Sequence, residues 1–336
     1  MEPGPVPRLP LELILEVLSC VCPANPTILL PASHPITRTL LAATLVCRAT
    51  YPVASRYLVQ HCLYLNSDLR LRDLLVRLPH RVPLSLGDNH AFQNIASLYL
   101  SPFRRSLDDL PTAMWIRELF YLVCGSLRRL VIDMPLRSLY PADDHLNVRK
   151  TLREGFSTLT KLEEFVSVRD ELYLRVYERE WLIEEAEVWT LWPALRRLAL
   201  YNVDADEQFW GRVAGMPKLE TLVLTRADGM QETCIKSRYF AATQRPIDVL
   251  IVNVSTEHPR EIPRWAWQDV DPQMKMQVMV YDVPTSFYGD EDYITLCQDW
   301  VKAAALRGTL WDWKGYLLQP APVGSGLTNP EPETGL

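Results

Sequence analysis

The residues whose types best suit chemistry stand in three short clusters. Asp143-Asp144-His145 combines the oxygen and nitrogen donors of a metal site. Glu184, Glu185 and Glu187 form a cluster of carboxylates on a predicted helix. Asp204, Asp206 and Glu207 follow a strand-like phrase, where they would line a loop facing a bound partner. Each cluster also has a plainer reading. Tandem acids ahead of a leucine make a turn or a helix cap, three glutamates on one helix make a solvated face, and acids opening a helix complement its dipole. No G-x-S-x-G, H-E-x-x-H or glycine-rich phosphate loop is present, and none of the six histidines stands at ligand spacing from another. The seven cysteines are odd in number, and the one residue between Cys20 and Cys22 is neither a zinc nor a redox spacing. Reduced thiols in a cytosolic or nuclear protein are expected. No catalytic residue, metal or cofactor is expected.

The elements that would position these residues must come from a well-packed chain. Its 336 residues are 48% hydrophobic with 10 tryptophans, enough for a sizeable core. The formal charge of −6, with 35 basic side chains interspersed among 41 acidic ones, gives no concentrated face for nucleic acid. No run of about 18 apolar residues exists for a spanning helix. The apolar N-terminal stretch contains Glu12 and Glu16 and lacks a preceding basic region, so a signal peptide is not expected.

Two N-terminal segments read as short amphipathic helices. In the first, Leu9, Leu13, Ile14, Val17 and Leu18 share a face, and Pro10 suits a first helical position. Cys22-Pro23 and Asn25-Pro26 stop it, and a proline-rich loop runs to Pro35. In the second, Leu40, Leu41, Thr44, Leu45 and Arg48 share a side, and Pro52 opens a third helix. Leu9-Pro10-x-Glu12-Leu13, with Leu45-Val46-Cys47-Arg48 further on, resembles an F-box. The chain as a whole is similar to the F-box proteins of filamentous fungi. That resemblance implies docking on a Skp-type adaptor joined to a cullin RING ubiquitin ligase, with a substrate protein selected by the C-terminal region. It implies adaptor contacts from Leu9, Pro10, Leu13, Ile14, Val17, Leu41, Leu45 and Val46. The loop between the first two helices is longer than usual in the family, with room to bulge outward, and Thr50 and Tyr51 stand where a tryptophan is common. The alternative is that these helices only cap an array.

Such an array is written in a recurring phrase. Ile95-x-x-Leu98-x-Leu100, Leu127-x-x-Leu130-x-Ile132, Leu195-x-x-Leu198-x-Leu200, Leu219-x-x-Leu222-x-Leu224 and Ile247-x-x-Leu250-x-Val252 repeat it. Leu162-x-x-Phe165 with Val168 is a degraded copy, while Leu63 with Leu65 and Met276-x-Val278-x-Val280 are terminal ones. The alternation predicts short strands with one buried face. Separations of 32 residues (Leu98 to Leu130), 24 (Leu198 to Leu222) and 28 (Leu222 to Leu250) leave room for a helix per unit. An α/β fold is predicted: a three-helix module over 1–62, an irregular leucine-rich-repeat-like horseshoe over 63–315, and a disordered tail over 316–336. A doubly wound sheet is the structural alternative.

Helices are predicted around Trp115 to Val123, through Tyr173, Val176, Tyr177, Trp181 and Val188, and from Tyr293 to Ala304 with Gly308 at the exit. Trp311 and Trp313 are expected to cover the open end of the array. Trp265-Ala266-Trp267, beside Pro263, is the one local feature suited to gripping a substrate. Alternation can bury one ring and expose the other, and the opposing reading is a core or end-cap role.

Overall fold

Each copy of the phrase becomes a strand because its alternate side chains enter a core shared with the copies beside it. The computed structural model describes residues 10–25, 27–81, 95–176, 185–232, 234–259, 262–287, 289 and 291–320. The fold is mixed α/β, with ten α-helices among the described residues and nine strands in one open sheet that does not close into a barrel. The strands are β1 (Tyr64–Leu65), β2 (Ser97–Leu100), β3 (Arg129–Ile132), β4 (Glu164–Ser167), β5 (Arg197–Tyr201), β6 (Thr221–Thr225), β7 (Ile247–Asn253), β8 (Met276–Asp282) and β9 (Tyr316–Leu317). They lie side by side in chain order, the first eight parallel and β9 antiparallel to β8.

Register follows from the apolar rows. Leu98, Leu130, Phe165, Leu198, Leu222, Val249 and Val278 align across β2 to β8. They enter one core with α5 (Leu110–Val123), α6 (Val148–Ser157), α7 (Glu207–Ala214) and α8 (Ile235–Ala242). Two charge rows at the strand starts reinforce the alignment. Arg129 Nε lies 3.2 Å from Glu164, which also holds Arg197 at 2.8 Å; one position earlier Arg128 meets Glu163 at 3.4 Å and Arg196 meets Glu220 at 2.8 Å. A one-residue slip would turn each apolar row to the opposite face.

That rule corrects the seventh copy. Leu222 pairs with Val249, not Leu250, so Val249 and Ile251 face the helices while Leu250 and Val252 face the other way. In the degraded fourth copy Ser167 occupies the position opposite Ile132, and Val168 packs on the second face.

The expectation of one buried face is also corrected: β2 and β3 are buried throughout and β7 nearly so. Tyr99, Val131, Val166, Ala199, Val223, Leu250 and Val252 lie beneath α10 (Tyr293–Arg307) and the turn after it. Polar contacts fasten this cover. Asp133 accepts from Lys302 Nζ at 2.7 Å, from Tyr99 Oη at 3.1 Å and from Arg169 at 2.8 Å. Arg129 donates to the carbonyls of Ala305 and Thr27. Trp311 Nε1 donates to Glu164 at 3.1 Å and Trp313 stacks on Tyr281, so both rings serve this face instead of an open end.

The N-terminal helices α1 (Leu11–Val21), α2 (Pro35–Ala43) and α3 (Thr50–His61) share a small core of Leu18, Leu40, Ala43 and Ala54. The loop between α1 and α2 does not bulge outward. Leu29 enters the second-face core and its N–H donates to Leu306 at 2.9 Å, while Leu30 N–H donates to His61. Two more expectations change. The stretch 171–176 has no regular element and Val188–Leu191 forms a short 3-10 turn, so no helix stands there among the described residues; Tyr177 and Trp181 lie outside them. At the start of the expected tail, β9 forms. The remaining helices are α4 (Asp68–Arg81) and α9 (Trp267–Val270).

Candidate docking and recognition surfaces

On α1 the packing choice falls on Leu18, which leaves Leu13 and Val17 exposed and Ile14 half-buried. Pro10 is exposed at the helix start, and Leu9 lies outside the described residues. On α2, capped by His34 Nδ1 accepting the Ile36 N–H at 3.2 Å, Leu40 is buried and Leu41 exposed. The following turn turns its apolar side chains outward: Leu45 is 86% exposed and Val46 63%. Thr50 fixes that turn. Its hydroxyl donates to the Ala43 carbonyl at 2.8 Å and accepts the Cys47 N–H at 3.3 Å. Hydrogen bonding by the Thr50 hydroxyl, and then by the N–H groups of Thr50 and Ala49, holds the exposed Cys47 thiol below its ordinary pKa.

A second surface lies where strands end. Asn202 and Arg226, which follow β5 and β6, adopt left-handed φ of 52° and 50°, which ends the extended strand conformation there. A cavity of about 660 Å³ opens there, lined by Arg226, Asp228, Glu232, Asn253, Glu257 and His258 among others. Arg226 Nη1 donates to Asn253 Oδ1 at 3.1 Å, and Asn253 Nδ2 donates to the Glu257 carbonyl at 2.8 Å. Burial pushes the His258 pKa down, partly offset by Asp282 at 2.9 Å. A neighbouring cavity of about 290 Å³ is lined by Tyr173, Arg175, Glu187, Asp204, Asp206 and Arg212. Glu187 meets Arg175 at 3.0 Å and Arg212 at 3.5 Å, and Arg153 lies 3.7 Å from Glu185; these glutamates are not a solvated helix face. Glu184 lies outside the described residues. Burial, followed by the charges of Asp206, Asp228 and Glu232, raises the Asp204 carboxyl.

The acidic clusters resolve individually. Asp144 accepts the Val148 and Arg149 N–H groups at 2.8 Å each, and Asp206 caps α7 through the Phe209 N–H at 2.7 Å. Among the described residues no three His, Cys, Asp or Glu side chains are grouped to hold a metal. Trp265 is 76% exposed, whereas Trp267 is 1% exposed with Lys236 Nζ 4.9 Å from its ring. Trp267 is therefore core and not a surface contact. The strand-end cavity has no spacing signature in the sequence, because Arg226 follows β6 while Asn253 ends β7 and His258 lies in the segment after it. A polar Asn closing a strand at position 253 is the faint signal it left.

No protein-family model matches the chain, and no curated protein matches it. No helix among the described residues is long and apolar enough to cross a membrane.

Proposed function

We propose that the protein is the substrate-recognition subunit of a Skp-cullin-F-box type ubiquitin ligase. In this reading α1 to α3 form an F-box-like module that docks on the adaptor, and the sequential parallel strands form an irregular leucine-rich-repeat-like body that holds a substrate protein. The protein itself is non-catalytic, and ubiquitin transfer falls to other subunits. The observation that carries the reading is the set of apolar side chains left uncovered on α1, α2 and the following turn: Leu13, Val17, Leu41, Leu45 and Val46. Burying each is worth roughly 1.5–3 kcal/mol. Their exposure in the free chain has that energy to gain from a partner.

Substrate contacts are assigned to the strand-end loops and to Trp265, because α10 covers the second face of the sheet. A scaffold in which the helices act only as a cap is the second reading, favoured by the insertion of Leu29 into the main body. The test is co-purification of a Skp-type adaptor with wild type and with Leu45→Ser/Val46→Ser. Adaptor recovered with wild type and lost with the double variant supports docking. Adaptor absent from both, or equal in both, overturns it in favour of the cap.

A further inference from the structure

The outward side chains of α2 and of the turn after it carry a charge pattern that the apolar set alone does not explain. From Val17 to Ser67 the chain contains no Asp or Glu, although it has 41 of them in all. The same stretch holds Arg38, Arg48 and Arg56, all exposed. Arg38 lies on α2 three residues before Leu41 and seven before Leu45, so it shares their side of the helical path. Arg48 follows Val46 by two residues in the turn fixed by Thr50. Neither has an ion pair among the described residues, unlike Arg128, Arg129, Arg196 and Arg197, each set against a glutamate. Two solvent-exposed cations thus stand beside exposed aliphatic groups, with no carboxylate of their own nearby in sequence, and are open to an opposite charge from outside.

We propose that the partner covering Leu41, Leu45 and Val46 is a protein with an acidic rim, whose carboxylates meet Arg38 and Arg48. This rests on the docking reading above and adds the chemistry of the facing surface. The apolar centre supplies affinity, whereas the arginines at its rim set orientation and speed of encounter. Exposed arginines are strongly screened by salt, so association should weaken as ionic strength rises.

The experiment titrates purified full-length protein with a purified Skp-type adaptor by calorimetry at low, physiological and high salt. The variants are Arg38→Gln/Arg48→Gln and Leu45→Ser/Val46→Ser, each checked by its thermal melt. The arginine pair should weaken binding at low salt by roughly three- to thirtyfold and flatten the salt dependence. The apolar pair should abolish binding at every salt concentration. If the apolar pair abolishes binding while the arginine pair leaves affinity and salt slope at wild-type values, docking stands and the acidic rim is overturned. If neither pair changes binding, the docking surface itself is wrong, and the acidic rim falls with it.

Discussion

Arg149 offers the sharpest test of how the strand-end surface is held. Its side chain is fully buried on α6 and, among the described residues, faces no carboxylate at ion-pair distance. Instead it spreads its donors over four carbonyl oxygens: Arg175 from Nε at 2.9 Å, Leu136 and Leu139 from Nη1 at 3.1 and 2.6 Å, and Tyr173 from Nη2 at 2.6 Å. The guanidinium also lies 4.4 Å from the Tyr173 ring. Tyr173 and Arg175 line the smaller strand-end cavity, so this one side chain fixes the loops after β3 and β4 against each other. Hydrogen bonds to a charged group are worth about 1.5–3 kcal/mol each, a gross of about 6–12 kcal/mol for four. Against that stands the cost of taking the charge out of water, several kcal/mol after relaxation. Replacing Arg149 with Met removes both but leaves the carbonyls unpaired, for a net loss of about 3–5 kcal/mol. Arg149→Lys keeps the charge but not the planar fork, and should lose about 2–3 kcal/mol. Urea denaturation followed by tryptophan fluorescence gives both numbers. Stability of Arg149→Met within about 0.5 kcal/mol of wild type, the usual range for a surface change, would refute the assignment of Arg149 as the organiser of these loops.

Three further outcomes follow from local geometry. Burial pushes the Asp133 carboxyl up, but the Lys302 hydrogen bond and charge, Arg169 and the Tyr99 hydroxyl pull it further down, to a net value below the ordinary range. Its folded pKa lies below its unfolded one of about 3.9, so its stabilisation is full above that pH and drains as pH falls through the folded value. Amide exchange of α10 should accelerate over that acid window, and Asp133→Asn should remove this pH dependence. Among thiols, Cys47 should alkylate well before Cys22, which burial and the neighbouring Cys62 push up to about 11, and before Cys297, which burial also raises; mass spectrometry at short times gives the order. At Gly155 an added Cβ would stand 3.0 Å from the Arg117 Cα and 3.2 Å from the Phe120 ring, so Gly155→Ala should destabilise by about 1–3 kcal/mol. Gly125→Ala, where no described residue lies within 4 Å of the added Cβ, is the control, and equal melting temperatures for the two would contradict the close approach of α5 and α6.

Where a side chain's neighbours lie one repeat away, the sequence told its position. Leu98, Leu130, Leu198 and Leu222 recur at helix-sized intervals, and they align across adjacent strands because every unit must place its apolar pair in the same core. Position 250 misled for a physical reason. With both faces buried, Val249, Leu250, Ile251 and Val252 are all apolar, and alternation no longer marks which face is which. The cover formed by α10 was hidden in the same way. Its buried stripe is legible in Cys297, Val301 and Ala304, but a helical stripe does not say which surface it meets. Leu29 illustrates the limit for loops, since its partner Leu306 lies at the far end of the chain. On the docking side, the periodicity of α1 marks a face that contains Leu13, Val17 and Leu18 without saying which of them the chain keeps for itself. Ala54 on α3 closes over Leu18, and the exposure of the other two follows from that choice.

The routes by which other molecules can reach this sheet are set by what already lies on it. One face is packed by α5 to α8 and the other by α10. The starts of β3 to β6 are tied together by the two charge rows, and Arg129 binds the carbonyls of Thr27 and Ala305. Strands laid down in chain order also lack the reversal at which a crevice forms between diverging connections. The strand ends are left. There Asn202 and Arg226 adopt left-handed backbone conformations, and Asp228, Glu232 and Glu257 are exposed around a cavity. From the same loops Ala227, Met230 and Val254 enter the two cores, whereas Asp228, Glu232, Thr256 and Glu257 are exposed and can change without disturbing the register beneath them. With both faces packed, the exposed polar side chains of the sheet gather at this rim, while the uncovered apolar side chains of α1, α2 and the turn after it belong to the N-terminal helices and can be altered independently.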